Sequence, residues 1–161
     1  MVTRSAQVQA LCKAQGVPVL LHALPGRNDT VRLGLSALLA QHPELTGCMF
    51  LPGDQPLLRR ATVDQLLTAF AQTQKETERV IFRLGAPAGN GPDPLVGSPV
   101  LFSNGFFPEL LTLPEGKGGS VLLHKYPTLV HTACIAQPEE LADTDTPAAL
   151  AQLEALVREK G

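Results

Sequence analysis

Apolar runs and amphipathic stretches alternate along this chain. Short apolar runs predict strands at residues 17–22, 47–50, 80–82, 98–102 and 129–135. Apolar residues at helical spacing predict helices at residues 7–15, 27–41, 62–73, 106–111, 120–125 and 148–159. Residues 84–97 are rich in glycine and proline and carry Asn90 and Asp93, which predicts a loop. Strands that alternate with helices predict a three-layer α/β domain with a mostly parallel sheet.

Asp54 follows the predicted strand at residues 47–50. In open α/β sheets, ligands bind beyond the carboxyl ends of the strands. Asp54 lies between Gly53 and Pro56, and a tight turn there holds its carboxylate at that edge. Aspartate is also common in turns because its side chain bonds the nearby backbone, so a helix cap or an Asx turn is the alternative.

Polar residues open the predicted helix at residues 27–41, with Asn28, Asp29 or Thr30 as its N-cap. The free N–H groups and positive dipole of a helix N-terminus suit a phosphate or the edge of a base. Arg27 adds a positive charge at this point. The alternative is a capped surface helix whose arginine is simply solvated.

Two later turns carry charged residues. Lys117 lies among glycines and suits a phosphate as a point charge, although a flexible surface lysine is the alternative. Asp145 precedes Thr146 and Pro147, where the last predicted helix begins, and either caps that helix or binds a cation. Mg²⁺ prefers one or two carboxylates together with substrate phosphates and water, so Asp54 and Asp145 are a candidate pair.

Composition narrows the class of protein. The 161 residues suit one domain, and a formal charge of −2 with few charged residues argues against a nucleic-acid partner. No apolar run approaches the length of a membrane span, and the N-terminus lacks the plan of a signal peptide. The three cysteines form no C-x-x-C pair, so we expect buried free thiols in a reducing cytoplasm rather than a zinc site: Cys12, Cys48 and Cys134.

Four motifs stand in the order found in molybdenum cofactor nucleotidyltransferases, and they most resemble the molybdenum cofactor cytidylyltransferases. They are G-D-Q-P-L-L at 53–58, G-S-P-V-L-F at 97–102, G-K-G-G at 116–119 and D-T-D-T-P at 143–147. The resemblance covers nearly the whole chain and implies a Rossmann-like three-layer α/β/α nucleotidyltransferase fold. It also implies the transfer of CMP from CTP to the terminal phosphate of molybdopterin, with Mg²⁺ and release of pyrophosphate, in the maturation of molybdenum hydroxylases.

The same resemblance implies roles for individual residues. The aspartate of the family's G-D-x-P holds the metal, which points to Asp54, and the aspartate before T-P points to Asp145 as second ligand. Lys117 is the candidate that neutralises a phosphate. Ser98 stands where the family has the histidine of G-H-P, at the end of a loop long enough to wall a substrate pocket, and is a candidate binding residue.

Residues 27–35 also resemble R-x-D-S-V-x-x-G-L of the methylerythritol phosphate cytidylyltransferases. The serine of that motif faces the cytosine, which implies Thr30 as the matching residue and Arg27 as its neighbour in the nucleotide site. Those enzymes lack the D-x-D-T-P pattern, so they are the second choice. The choice between CTP and GTP stays open.

The family's N-terminal L-A-A-G-x-S-x-R-M-G loop and the lysine that follows it do not occur in this sequence. We therefore expect residues 1–161 to form a single nucleotidyltransferase-like domain that lacks its first βα unit. The alternative function is a catalytically inactive accessory protein that binds the cofactor or a molybdenum hydroxylase.

Overall fold

The computed structural model describes residues 1–87 and 94–160, which fall into two compact units. The first unit contains Met1–Cys48 and Ser103–Leu129, and the second contains Met49–Phe102 and Val130–Gly161.

The first unit begins with a parallel β-α-β arrangement. Strands β1 (Val2–Thr3) and β2 (Leu20–Leu21) pair in parallel, and helix α1 (Ala6–Ala14) connects them. Parallel strands need such a crossover, because a tight turn cannot reverse the chain direction twice. The unit also contains the short helices α4 (Phe107–Leu111) and α5 (Ser120–Lys125) and the 3₁₀ turns Asn104–Phe106 and Pro127–Leu129.

Helix α2 (Arg27–Gln41) packs closely on β1. Leu35 on this helix is fully buried. At Gly34 a Cβ atom would lie 3.0 Å from Val2 Cγ2, which is tighter than ordinary van der Waals contact. A glycine at this position therefore allows α2 to approach the strand.

The four-stranded sheet has the order β3-β5-β4-β6 and belongs mainly to the second unit. Its strands are β3 (Gly47–Phe50), β4 (Ile81–Ala86), β5 (Leu95–Ser103) and β6 (Val130–Cys134). Strands β4 and β6 are parallel, with Ile81 opposite Val130, whereas β4 and β5 are antiparallel, with Ile81 opposite Phe102. Only residues 87–94 separate β4 from β5, too few for the crossover that a parallel pair requires.

Helix α3 (Arg60–Thr73) covers this sheet with its apolar face. Leu66 and Phe70 are buried against β4, and the rings of Phe70 and Phe82 meet edge to face at 6.2 Å. The 3₁₀ turn Pro138–Leu141 follows β6, and helix α6 (Pro147–Lys160) ends the described part of the unit. Among the residues that the structure describes, no helix combines the length and the apolar character needed to cross a bilayer.

Some of the predicted strand and loop boundaries differ from the structure. The predicted loop at 84–97 is wrong at both ends, because β4 continues to Ala86 and β5 begins at Leu95. Gly85, which suggested a loop, lies inside β4, where a Cβ atom would collide with Thr132 of the neighbouring strand. The predicted strand at 17–22 is reduced to Leu20–Leu21. Asn90 and Asp93 lie outside the described residues.

The cysteines are free, as expected, but they are not all buried. Cys12 and Cys48 are buried, and burial raises the pKa of the Cys48 thiol to about 11. Cys134 is exposed, because it is the last residue of β6, the strand at the edge of the sheet. The expectation of burial was therefore wrong for Cys134.

Candidate functional site

The turn after β3 presents a carboxylate oxygen that none of the described residues binds. Asp54 is half-buried, and its Oδ1 is buried with no hydrogen-bond partner among the described residues. The backbone carbonyl of Asp54 accepts two hydrogen bonds from Thr144, from the backbone N–H at 3.0 Å and from Oγ1 at 3.2 Å. The backbone of this turn is thus held in place while one carboxylate oxygen remains unpaired.

Asp145 stands next to this contact. It directly follows Thr144 along the chain, and consecutive Cα atoms lie about 3.8 Å apart. The side chain of Asp145 is exposed. The structure therefore brings together the two turns that carry the predicted metal carboxylates, Asp54 and Asp145.

A buried glutamate reinforces the same junction, and the sequence analysis missed it. Glu140 is 4% exposed, and its Oε2 accepts hydrogen bonds from the Arg59 backbone N–H at 3.1 Å and from Thr62 Oγ1 at 2.5 Å. Arg59 Nε lies 3.8 Å from Glu140 Oε1. Because the N-cap residue Arg59 provides no side-chain cap, Glu140 caps α3 from a distant part of the chain. No local sequence pattern announces such a contact.

A further link joins the same two segments. Gln55 Nε2 donates to the carbonyl of Leu141 at 3.3 Å. Residues 54–62 and 140–145 are therefore tied together at three points, through Gln55, Glu140 and Thr144.

The two carboxylates fit a hard divalent cation. Mg²⁺ binds carboxylate oxygens and usually keeps several waters or substrate phosphates, so one or two protein carboxylates suffice. Asp54 supplies a buried oxygen without a protein partner, and Asp145 supplies an exposed carboxylate on the adjoining turn. Within residues 1–87 and 94–160, no group of three or more histidine, cysteine, aspartate or glutamate side chains converges to hold a metal ion. A cation at these turns would therefore take its remaining ligands from substrate and water.

The first unit contains a second set of predicted site residues, at the start of α2. The helix begins at Arg27, and its N-cap is Gly26, so the prediction of Asn28, Asp29 or Thr30 as N-cap was wrong. Asp29 instead acts from inside the first turn, where its Oδ2 accepts from the Gly26 backbone N–H at 3.1 Å. Arg32 donates to Asp29 Oδ1 at 3.0 Å, and this hydrogen bond holds the pKa of Asp29 below its ordinary value.

The glycine-rich loop of Lys117 adjoins the same helix start. The backbone N–H of Gly116 donates to Asn28 Oδ1 at 3.0 Å. Gly116 has a φ of 70°, in the left-handed region that glycine adopts without strain. The side chains of Arg27 and Lys117 are exposed. The structure therefore brings these two cations onto adjoining segments of the first unit.

Thr30 and Ser98 have different surroundings. Thr30 is half-buried in the first turns of α2, and its Oγ1 lies 3.2 Å from His22 Nε2. Ser98 is half-buried inside β5 rather than at the end of a loop, and a cis peptide bond joins it to Pro99. In the described part of the chain, no side-chain hydrogen bond connects Ser98 with Asp54 or Asp145. The structure thus gives Ser98 no tie to the carboxylate pair.

Several solved structures are similar to this chain in fold. Rv0371c from Mycobacterium tuberculosis is 24% identical with a TM-score of 0.73, and the match covers 94% of this chain and 72% of that one. A complex of Rv0371c with manganese is 24% identical with a TM-score of 0.70, covering 94% and 73%. The 4-diphosphocytidyl-2C-methyl-D-erythritol synthase from Anaerococcus prevotii is 10% identical with a TM-score of 0.72, covering 98% and 77%. These likenesses confirm the predicted α/β fold with a mostly parallel sheet, the Rossmann-like nucleotidyltransferase fold.

The sequence itself matches a known domain family. No curated protein sequence matches the chain. The family of MobA-like NTP transferase domains matches residues 1–153, which is nearly the whole chain. The chain therefore belongs to the family of MobA-like NTP transferase domains.

Proposed function

We propose that this protein transfers CMP from CTP to the terminal phosphate of molybdopterin, with Mg²⁺, and so makes the cofactor form used by molybdenum hydroxylases. One observation carries the proposal: Asp54 has a buried oxygen without a partner in the described part of the chain, on a turn bonded to the turn of Asp145. The order of the four motifs supports the molybdenum cofactor as acceptor. The manganese complex of Rv0371c supports the use of a divalent cation.

The reaction is an in-line transfer at phosphorus. An oxygen of the cofactor's terminal phosphate forms a bond to the α-phosphorus of CTP, while the bond from that phosphorus to the bridging β-oxygen breaks and pyrophosphate leaves. Such reactions need positioning and charge stabilisation more than covalent chemistry by the protein. A divalent cation supplies charge neutralisation for the phosphates when it is bound.

Each group of residues has its own part in this proposal. In the second unit, Asp54 and Asp145 hold the cation. In the first unit, the exposed cations Arg27 and Lys117 bind phosphate oxygens, and Thr30 meets the pyrimidine ring. Ser98 stays a candidate contact for the nucleotide or the cofactor.

Pyrophosphate release tests the proposal. The protein is incubated with Mg²⁺, with CTP or GTP, and with molybdopterin or methylerythritol phosphate as acceptor. We expect pyrophosphate only with CTP and molybdopterin together. Faster transfer with GTP would show that GTP and not CTP is the nucleotide donor. Faster transfer to methylerythritol phosphate would show that molybdopterin is not the acceptor.

Calorimetry of the same protein separates binding from catalysis. We expect CTP to bind more tightly with Mg²⁺ than without it, and more tightly than GTP. Molybdopterin binding without pyrophosphate release in any mixture would favour the accessory-protein alternative over the enzyme.

A further inference from the structure

The Thr30 hydroxyl has a hydrogen-bonding partner at the end of β2. His22 Nε2 and Thr30 Oγ1 lie 3.2 Å apart, and both side chains are half-buried. His22 follows Leu21, the last residue of β2, and its backbone N–H donates to the carbonyl of Thr3 at 3.1 Å. The pairing of β2 with β1 thus fixes the backbone of His22, and the imidazole restrains the threonine hydroxyl.

The other ring nitrogen of His22 has no such partner. Nδ1 is buried and makes no hydrogen bond to any described residue. Among the described residues, the Thr30 hydroxyl is therefore the partner of this imidazole, through Nε2.

His22 lines a cavity of the first unit. The cavity has a volume of about 540 Å³, and its lining includes Arg4 and Leu21. Small-molecule sites commonly enclose about 300–1,000 Å³. Arg4 follows the last residue of β1 and His22 the last residue of β2, so the cavity lies at the carboxyl ends of a parallel pair, where α/β sheets bind ligands.

We infer that His22 is the positioning residue for Thr30 in the site of the nucleotide base. The imidazole sets the direction of the Thr30 hydroxyl through Nε2, and the hydroxyl meets the base. This inference rests on the proposed function, because it gives Thr30 and His22 a role in binding CTP.

The chemistry of imidazole couples the two groups. A neutral imidazole donates from one nitrogen and accepts at the other. When Nε2 donates to Thr30 Oγ1, the hydroxyl hydrogen is free for the ligand and Nδ1 accepts. When Nδ1 carries the proton, the hydroxyl donates to Nε2 and accepts from the ligand. In either form the imidazole fixes whether the Thr30 hydroxyl donates to the ligand or accepts from it, and cytosine offers a partner for each case, the ring N3 for a donor and the amino group for an acceptor.

A double-mutant cycle on CTP affinity tests this coupling. The variants are His22→Asn, Thr30→Val and the double variant, measured by calorimetry with CTP and with tripolyphosphate, which has no base. The shorter asparagine cannot reach Thr30, so His22→Asn should weaken CTP binding about 3- to 10-fold, the effect of one oriented hydrogen bond. Because His22 acts through Thr30, the double variant should bind CTP no more weakly than the weaker single variant. Tripolyphosphate affinity should not change.

Two further variants test whether an effect of His22→Asn comes from the lost hydrogen bond to Thr30. His22→Gln should keep most of the affinity, because its amide nitrogen reaches the place of Nε2 and still donates to Thr30. His42→Asn is the matched control, since His42 is an exposed histidine whose Nδ1 lies 3.5 Å from Glu44 Oε1. Thermal unfolding of each variant separates lost binding from lost folding.

The outcomes distinguish this inference from the proposed function. Additive losses in the cycle, an equal loss for tripolyphosphate, or unchanged CTP affinity in His22→Asn would overturn the role of His22 and leave the proposed function standing. A wild-type protein that binds no CTP would overturn the proposed function, and the role of His22 with it.

Discussion

The acidic turns of the second unit and Asp29 at the start of α2 in the first unit make different kinds of contact. Thr144 reaches back 90 residues to Asp54, and Glu140 reaches back 81 residues to the Arg59 backbone. At the start of α2, Asp29 bonds groups only three residues away on either side, Gly26 and Arg32. We therefore expect the loss of these long-range contacts to cost more folding stability than the loss of the local contacts of Asp29.

The carboxylates of the two regions differ in the same way. Both carboxylate oxygens of Asp29 accept hydrogen bonds from protein groups, and the carboxylate of Glu140 caps the start of α3. Of these three carboxylates, Asp54 has a buried oxygen without a partner within residues 1–87 and 94–160. Paired carboxylates hold the structure together, whereas an unpaired one is available to a cation. This difference singles out Asp54 more firmly than its position on a turn does.

The largest effect should follow Glu140→Ala. This change leaves the Arg59 N–H and the Thr62 hydroxyl without their buried acceptor. Hydrogen bonds to a charged group and the penalty for unpaired buried donors together predict a loss of about 2–4 kcal/mol in the free energy of unfolding. Urea denaturation measures it.

Glu140→Gln and Glu154→Gln serve as comparisons for that loss. Glu140→Gln keeps an acceptor oxygen and should therefore lose less folding stability than Glu140→Ala. Glu154 is exposed, and its Oε2 lies 3.6 Å from Arg158 Nη2. Because exposed ion pairs contribute little, Glu154→Gln should change the free energy of unfolding by less than about 0.5 kcal/mol. Equal stability of Glu140→Ala and wild type would show that the long-range contacts do not stabilise the acidic turns.

Asp54→Asn should separate cation binding from stability. The amide keeps the shape of the side chain but removes the charge that a divalent cation needs. Even residues that only orient a metal ligand cost about 10- to 100-fold in metal affinity, so loss of the ligand itself should weaken Mn²⁺ binding by at least about tenfold. Electron paramagnetic resonance of free Mn²⁺ measures this, and the midpoint of urea unfolding should stay near that of wild type.

Asp64→Asn is the matched control, because Asp64 is an exposed aspartate of α3 paired with Arg60 at 3.7 Å. It should leave Mn²⁺ affinity unchanged. If both aspartate variants bind Mn²⁺ as wild type does, Asp54 is a turn residue and nothing more.

The sequence predicted what depends on local pattern. The bounds of α2, β3 and α5 agree with the prediction, and those of β3 do so because a short apolar run determines them. The place of Asp54 after β3 followed from the same pattern. The pairing of the turns of Asp54 and Asp145 was expected because two carboxylates suit Mg²⁺, and the family resemblance implied the same pair.

The failures have physical reasons. The predicted N-cap of α2 was wrong because Asp29 lies inside the first turn of the helix. From there its side chain accepts a hydrogen bond from the Gly26 N–H, as the side chain of an N-cap residue would from a backbone N–H of the first turn. The predicted end of β4 was wrong because Gly85 does not mark a turn. A glycine is needed there because a Cβ atom would collide with Thr132 on the neighbouring strand. Glu140 was missed because its partners lie about 80 residues away, and a single sequence carries no sign of such pairing.

Asn28→Ala should have a smaller effect than either acidic-turn variant. It removes the acceptor that holds the Gly116 N–H, a loss of about 0.5–1 kcal/mol, and alanine's better helix propensity offsets part of it. Phosphate binding should suffer more than folding, because the loop of Lys117 loses its anchor on α2. Tripolyphosphate affinity measures this loss, with Ser36→Ala on the exposed face of the same helix as control. Equal affinities of the two variants would show that the anchor does not matter.

The smallest effect should follow Asp29→Asn, and it should depend on pH. The bond from Arg32 lowers the pKa of Asp29 in the folded protein, so its contribution to stability is present above the unfolded pKa of about 3.9 and is lost as the pH falls through the folded value. Wild type should therefore be more stable than the variant at pH 7, and the difference should shrink in urea denaturations below about pH 4. Arg32→Gln should abolish most of the same difference at pH 7. A gap between wild type and Asp29→Asn that is constant from pH 7 to pH 3 would mean that the ionised pair does not stabilise the start of α2.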